Sequence, residues 1–170
     1  MRVREIMTRD VLACREHDTM DRAVEIMMGK DCGCVPVIDE QKRVVGIITD
    51  RDICLIVYAT NQKPSELSVR GGMAPRVECC TPEDSVDEAE RKLRERQLRR
   101  LPVVDTDGRL VGILAMADLV RATSKRKRAI SHREVCETFA SICRSSWDAS
   151  QIWSSSQSPA GELTALAGRA

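Results

Sequence analysis

The chain repeats itself at an offset of 66 residues without a gap. That shift lays Met7 on Met73, Ala23 on Ala89, Pro36 on Pro102, Gly46 on Gly112 and Asp52 on Asp118. It also matches Val11 with Val77, Asp18 with Asp84, Val37 with Val103, Asp39 with Asp105, Arg43 with Arg109 and Ile47 with Ile113. An ungapped register this dense marks a duplicated supersecondary unit, and a unit too small to bury its own apolar face must bury it against its copy. Two such copies packed face to face leave paired clefts between them. The repeats take up about the first 120 of 170 residues, which suffices for one ordinary core at 42% apolar content.

Within each copy the apolar period changes in a fixed order. Val11 to Cys14 reads as a short strand, and Thr19 to Lys30, with Ala23, Val24, Met27 and Met28, as an amphipathic helix. Val35 to Ile38 and Val44 to Ile48 are β-branched runs too short for helices, joined by a polar turn at Asp39 to Arg43, and a second helix runs from about Asp50 to Ala59. The second copy predicts a strand near Val77, a helix from Ser85 to Arg96 opened by the capping box Ser85-x-x-Glu88, strands Leu101 to Val104 and Leu110 to Leu114, and a helix from Met116 to Thr123. The fold class is therefore α+β, with each copy running strand-helix-strand-strand-helix. Residues 1–59 form the first copy, 60–68 a polar connector containing Pro64, 69–123 the second copy, and 124–170 a basic linker, a short helix and a tail. Val135, Phe139, Ile142 and Cys143 recur at helical spacing in that helix. The serine-rich end, with Trp147, Ile152 and Trp153 as its large apolar anchors, is expected to be disordered or to order only on a partner.

Charge and cysteine usage narrow the function classes. The net charge is +1, yet residues 121–133 carry six basic side chains and no acid, so the basic character is local. Lys125 to Arg128 without aromatic interleaving implies nonspecific attraction and not a nucleic-acid site. The longest wholly apolar run, Ile53 to Ala59, is too short to cross a bilayer, and the first residues lack a signal-peptide layout, so a cytoplasmic protein is expected. The eight cysteines contain no C-x-x-C, which fits a zinc site poorly and reduced, mostly buried thiols well. Cys136 and Cys143 lie seven apart on one helix face, where a redox contact between chains is the alternative to free thiols. His17 and His132 have no catalytic context. With no nucleophile–base pair, metal cluster or glycine-rich phosphate loop in the sequence, no enzyme is expected.

The start of the second helix is the candidate site. A strand ends at Thr49 where a helix begins, so the first backbone N–H groups and the positive dipole end point into the cleft beyond, a seat for phosphate. Thr49 can donate its hydroxyl to a phosphate oxygen, and Asp52, one turn on, can accept from vicinal ribose hydroxyls. The competing reading is structural: Thr49 as N-cap and Asp52 at the third position make a capping pair that any helix start can use. Asp50 and Asp52 do not share a face, which argues against a paired-carboxylate site.

Taken together, Val3 to Thr8, Val35-Pro-Val-Ile-Asp39, Gly46-Ile-Ile-Thr-Asp-Arg-Asp-Ile53, Leu101-Pro-Val-Val-Asp105 and Gly112 to Leu119 resemble the tandem cystathionine β-synthase (CBS) domain pair, or Bateman module, over residues 1 to 123. The resemblance implies pseudo-two-fold packing of the copies, clefts that bind AMP, ATP or S-adenosyl methionine as regulatory ligands, no required cofactor, and pairing into flat homodimers. Carried over by position, it assigns Thr49 and Asp52 to phosphate and ribose, and Thr8, Val11, Val35 and Pro36 to the adenine slot. In the second copy Asp118 keeps the ribose position, but Ala115 replaces the threonine and weakens that site by ~1.5–3 kcal/mol, a hydrogen bond to a charged group. Arg99 and Arg100, opposite Gly33 and Cys34 in the first copy, stand where related modules place phosphate-contacting bases; the alternative is that they continue the solvated basic face of their helix. Two functions follow as expectations: a regulatory sensor of an adenosyl nucleotide that signals through its dimer or an effector protein, or a ligand-free scaffold for dimerisation.

Overall fold

The computed structural model describes residues 1–123 and 131–143; the expectations for Lys125 to Arg128 and for residues 144–170 lie outside them. The first repeat runs β1 (Cys14–Arg15), α1 (Met20–Lys30), β2 (Cys34–Ile38), β3 (Val44–Thr49) and α2 (Asp50–Thr60). The second runs α3 (Val86–Arg96), β4 (Arg100–Val104), β5 (Leu110–Ala115) and α4 (Met116–Thr123), and α5 (His132–Ile142) follows. β1 pairs parallel with β2, and β2 antiparallel with β3, in one sheet; β4 and β5 form an antiparallel pair. The strand expected near Val77 is reduced to a single parallel bridge, Cys80 to Val103, at the position equivalent to the Cys14–Val37 pairing of the first copy.

Local chemistry accounts for the boundaries. The Ser85 N–H donates to Glu88 Oε2 (2.8 Å) and the Glu88 N–H to Ser85 Oγ (3.1 Å), a reciprocal cap that starts α3. Asp31 and Gln97, one repeat apart, close α1 and α3 in the left-handed conformation (φ 49° and 54°). Both hairpin turns are held by one carboxylate: Asp39 Oδ1 accepts from the N–H groups of Gln41 and Arg43, and Asp105 Oδ1 from those of Asp107 and Arg109.

The two repeats exchange their leading segments. Val3 is fully buried in the core of the second repeat, and its equivalent Val69 in the core of the first. The Val3 N–H donates to the Asp84 carbonyl (3.0 Å), and the Val69 N–H to that of Asp18 (2.8 Å). Thr8 then bridges Ile113 of β5, while Ala74 bridges Ile47 of β3. Gly46 and Gly112 let these crossings close, since a β-carbon on Gly112 would lie 2.8 Å from the Thr8 carbonyl and one on Gly46 3.2 Å from that of Ala74. The pseudo-two-fold axis is thus built from backbone pairing, with Cys34, Ile47 and Ala74 buried between the halves.

α5 packs on α3 and α4, placing Val135 and Ile142 in the second core. The fully buried Thr138 donates its hydroxyl to Glu90. Phe139, expected on the buried face, is 53% exposed.

Candidate functional site

The β3–α2 junction is a closed capping box. The Thr49 N–H and hydroxyl both donate to Asp52 Oδ2 (2.9 and 2.7 Å), and the Asp52 N–H donates to Thr49 Oγ1 (3.2 Å). The Asp50 N–H donates to the Gly33 carbonyl (3.2 Å) and the Arg51 N–H to Asp50 Oδ1 (2.8 Å). The three leading amides of α2 are therefore engaged, which corrects the expectation of a phosphate seat made from free N–H groups at this helix start. The Thr49 hydroxyl is likewise committed, donating to the Asp52 carboxylate and accepting from the Asp52 N–H.

Asp52 is different because the cap uses only Oδ2. Asp52 as a residue is 2% exposed, and burial pushes its pKa up, opposed by the hydrogen bonds from Thr49. The box locks the carboxylate plane while Oδ1 stays outside it, so one oxygen orients the group and the other is left as an acceptor. At the equivalent β5–α4 junction both oxygens of Asp118 are taken, Oδ2 by the Ala115 N–H (2.7 Å) and Oδ1 by the Arg121 guanidinium. The first copy has Leu55 where Arg121 stands, so the two carboxylates differ for a reason beyond the missing threonine hydroxyl.

The segment exchange regroups the other expected residues. Thr8 lies on β5, next to the Asp118 junction, whereas Ala74 lies on β3, next to Thr49 and Asp52, with Val77 packed against the same central cluster. Ala74 and Val77 are the residues that sequence reasoning missed, although their 66-residue offset from Thr8 and Val11 was the available signal. The Val35 side chain is fully buried in the first core, not in a slot, while Pro36, one residue on, is buried on the opposite face of β2, the face Cys34 turns toward the other repeat.

Arg99 is exposed, and its carbonyl accepts the Met116 N–H (3.0 Å). Arg100 turns inward across the axis. A β-carbon on Gly33 would come 3.3 Å from its Nη2 and 2.9 Å from Asp50 Oδ2, so glycine leaves room for this cation beside the first repeat. Burial pushes the adjacent Cys34 thiol up to about 11, against the pull of Arg100. Among the described residues no group of three or more His, Cys, Asp or Glu side chains is placed to hold a metal, and the eight cysteines are free thiols.

Two like halves that exchange their leading segments and set one buried carboxylate at each strand–helix junction define a paired-repeat module. The CBS domain family model matches residues 3–58 and 66–125, and the chain belongs to that family. It is 31% identical over 119 residues to the uncharacterized protein MK0525 of Methanopyrus kandleri, covering 70% of this chain and 61% of that one. The chain thus spans about three-fifths of that relative's length. Among solved structures it is similar to CBSX2 of Arabidopsis thaliana in complex with AMP (TM-score 0.62, 30% identity, 72% of this chain and 95% of that one). It is also similar to the CBS domain pair of protein MJ0100 in complex with 5′-methylthioadenosine and S-adenosyl-L-methionine (TM-score 0.64, 26% identity, 71% and 94%). No helix of the described residues is long and apolar enough to cross a membrane.

Proposed function

We propose that this chain is a non-catalytic regulatory CBS pair that binds an adenosyl ligand beside Asp52 and signals through a homodimer or an effector protein. The observation that carries the reading is the division of labour on Asp52, whose Oδ2 closes the cap while Oδ1 is left to accept a ribose hydroxyl. Arg100 supplies positive charge at the same junction for a phosphate or a sulfonium ligand's carboxylate, in place of the amides that are already engaged. The ligands held by CBSX2 and MJ0100 share an adenosine with vicinal hydroxyls, the group this carboxylate suits. Ala74, Val77 and Pro36 provide the small and aliphatic surroundings an adenine needs.

Signalling requires that the ligand bind one shape of the module better than another. Asp52 and Arg100 belong to different repeats, so a ligand that touches both favours the arrangement in which they converge. The closed first turn of α2 favours a second reading, a scaffold whose clefts bind nothing. Thermal unfolding with AMP, ATP and S-adenosyl methionine separates the two: a ligand at 100 times its Kd stabilises by ~2.7 kcal/mol, and the absence of a shift with all three supports the scaffold.

A further inference from the structure

α5 turns a second face to solvent. Val135, Thr138 and Ile142 are buried against the second repeat, while Cys136, Phe139, Ala140 and Cys143 are exposed. Their spacing of i, i+3, i+4 and i+7 sets these four on one stripe of the helix. Phe139, the chain's only phenylalanine, is 53% exposed at its centre. The charges that border the stripe, Arg133 and Glu137, already pair with each other (2.8 Å), so it can be covered without burying an unpaired charge.

The order of the stripe identifies what fits it. Cys136-x-x-Phe139-Ala140-x-x-Cys143 places its cysteines symmetrically about a midpoint between Phe139 and Ala140. A two-fold axis through that point, perpendicular to the helix, lays Cys136 level with Cys143 of a second copy and Phe139 level with Ala140 of that copy. Each ring then shares its layer with a methyl group, the alternation of large and small that lets two helices close. Self-complementarity of this kind is what a contact between identical surfaces requires.

The thiols add an independent constraint. Cys143, the C-cap, keeps right-handed helical angles (φ −81°, ψ −4°), so it lies ~10.5 Å along the axis from Cys136 at ~1.5 Å per residue. A disulfide spans ~4.4–6.8 Å between α-carbons, which rules out a bond between these two within one helix. A bond between them therefore joins two chains. We propose that α5 carries a self-association surface, through which two copies of the chain pair by antiparallel α5 helices along Cys136, Phe139, Ala140 and Cys143. Four residues fall well short of the ~20–30 a side of a standard interface, so the pair forms reversibly as concentration rises, and dilute protein keeps both thiols open. α5 packs on the second repeat and Asp52 belongs to the first, so this pairing and ligand recognition are separable.

The test uses the full chain with the exposed Cys54 replaced by serine. Oxidised glutathione serves as oxidant: two thiols give up two protons and two electrons to it, one protein disulfide forms, and two molecules of reduced glutathione leave. The expected product is a covalent dimer whose peptide masses contain Cys136 joined to Cys143. Cys136→Ser alone and Cys143→Ser alone form no dimer linked through the cysteine that remains in α5, whereas an equimolar mixture of the two variants forms one. As a second measurement, light scattering of the reduced protein shows its mass doubling as concentration rises. Phe139→Leu behaves as the parent, and Phe139→Asp, with unchanged circular dichroism, stays at half the parent's mass. Links between like cysteines in either single variant assign a parallel or random encounter and overturn the proposal. So does a mixture that yields no dimer, or a Phe139→Asp mass equal to that of the parent.

Discussion

Thr138→Val tests how α5 is fastened to the second repeat. Valine keeps the shape of threonine and removes the donor, which leaves the buried Glu90 with Arg94, 3.8 Å away, as its charged neighbour. A hydrogen bond to a charged group contributes ~1.5–3 kcal/mol, so the variant should lose about 2 kcal/mol and melt roughly 4–8 °C lower for a chain of this length. Glu90→Gln keeps an oxygen acceptor and removes the buried charge, so it should be near neutral at pH 7. Burial raises the Glu90 pKa above 4.5, against the pull of Arg94 and with Glu134, Asp87 and Glu137 adding to the rise. The native state thus binds the proton more tightly than the unfolded chain, and this group's contribution is greatest below the unfolded pKa and lost as pH rises through the folded one. Wild type should therefore lose stability relative to Glu90→Gln as pH climbs from about 4 toward 7. Urea unfolding of both single variants and the double variant, at several pH values, should return a coupling of about 1–2 kcal/mol. A Thr138→Val change within about 0.5 kcal/mol of wild type, or a Glu90→Gln difference that does not vary with pH, refutes the reasoning.

Three further outcomes can be checked on the same protein. Lys42 occupies the turn position (φ 65°) that its counterpart Gly108 fills at φ 79°; relieving ~1–2 kcal/mol of left-handed strain against a glycine entropy loss of ~0.5–1 kcal/mol, Lys42→Gly should raise the urea midpoint. Gly112→Ala should lose ~1–3 kcal/mol because the new carbon meets the backbone of Thr8, whereas Gly33→Ala meets only the ends of the Asp50 and Arg100 side chains and should leave the midpoint nearly unchanged. Burial pushes the thiols of Cys14 and Cys80 up to about 11 and about 12, so brief iodoacetamide treatment of the native protein should label the exposed Cys54, Cys136 and Cys143 first, as read by peptide mass.

The repeat offset made most of the fold legible, because the helices and hairpins of residues 1–123 depend on local periodicity that the two copies share. The exchange of leading segments was not legible: Val3 and Thr8 carry no local mark that their backbone partners lie in the other repeat. The second leading strand failed because Glu78 to Thr81 keeps only one ladder pairing, at Cys80. In α5 the spacing of Val135 and Ile142 announced the helix, but Thr138 and Phe139 compete for the buried face, and only the acid across the interface, Glu90, decides for threonine. At the candidate site the types Thr49 and Asp52 were readable, whereas the engagement of the α2 amides rests on the Gly33 carbonyl, brought there by tertiary packing. Arg100 turning inward follows from the space at Gly33, also a long-range property.

The central claim is that the oxygen of Asp52 left outside its cap, with Arg100 opposite, recognises an adenosyl group. Calorimetric titration of AMP and S-adenosyl methionine into wild type, Asp52→Ala and Asp118→Ala, each verified as folded by circular dichroism, tests it most directly. The account predicts binding to wild type, its loss in Asp52→Ala and near-wild-type binding in Asp118→Ala, whose carboxylate is already held by Arg121. Equal binding by wild type and Asp52→Ala, or loss only in Asp118→Ala, contradicts it.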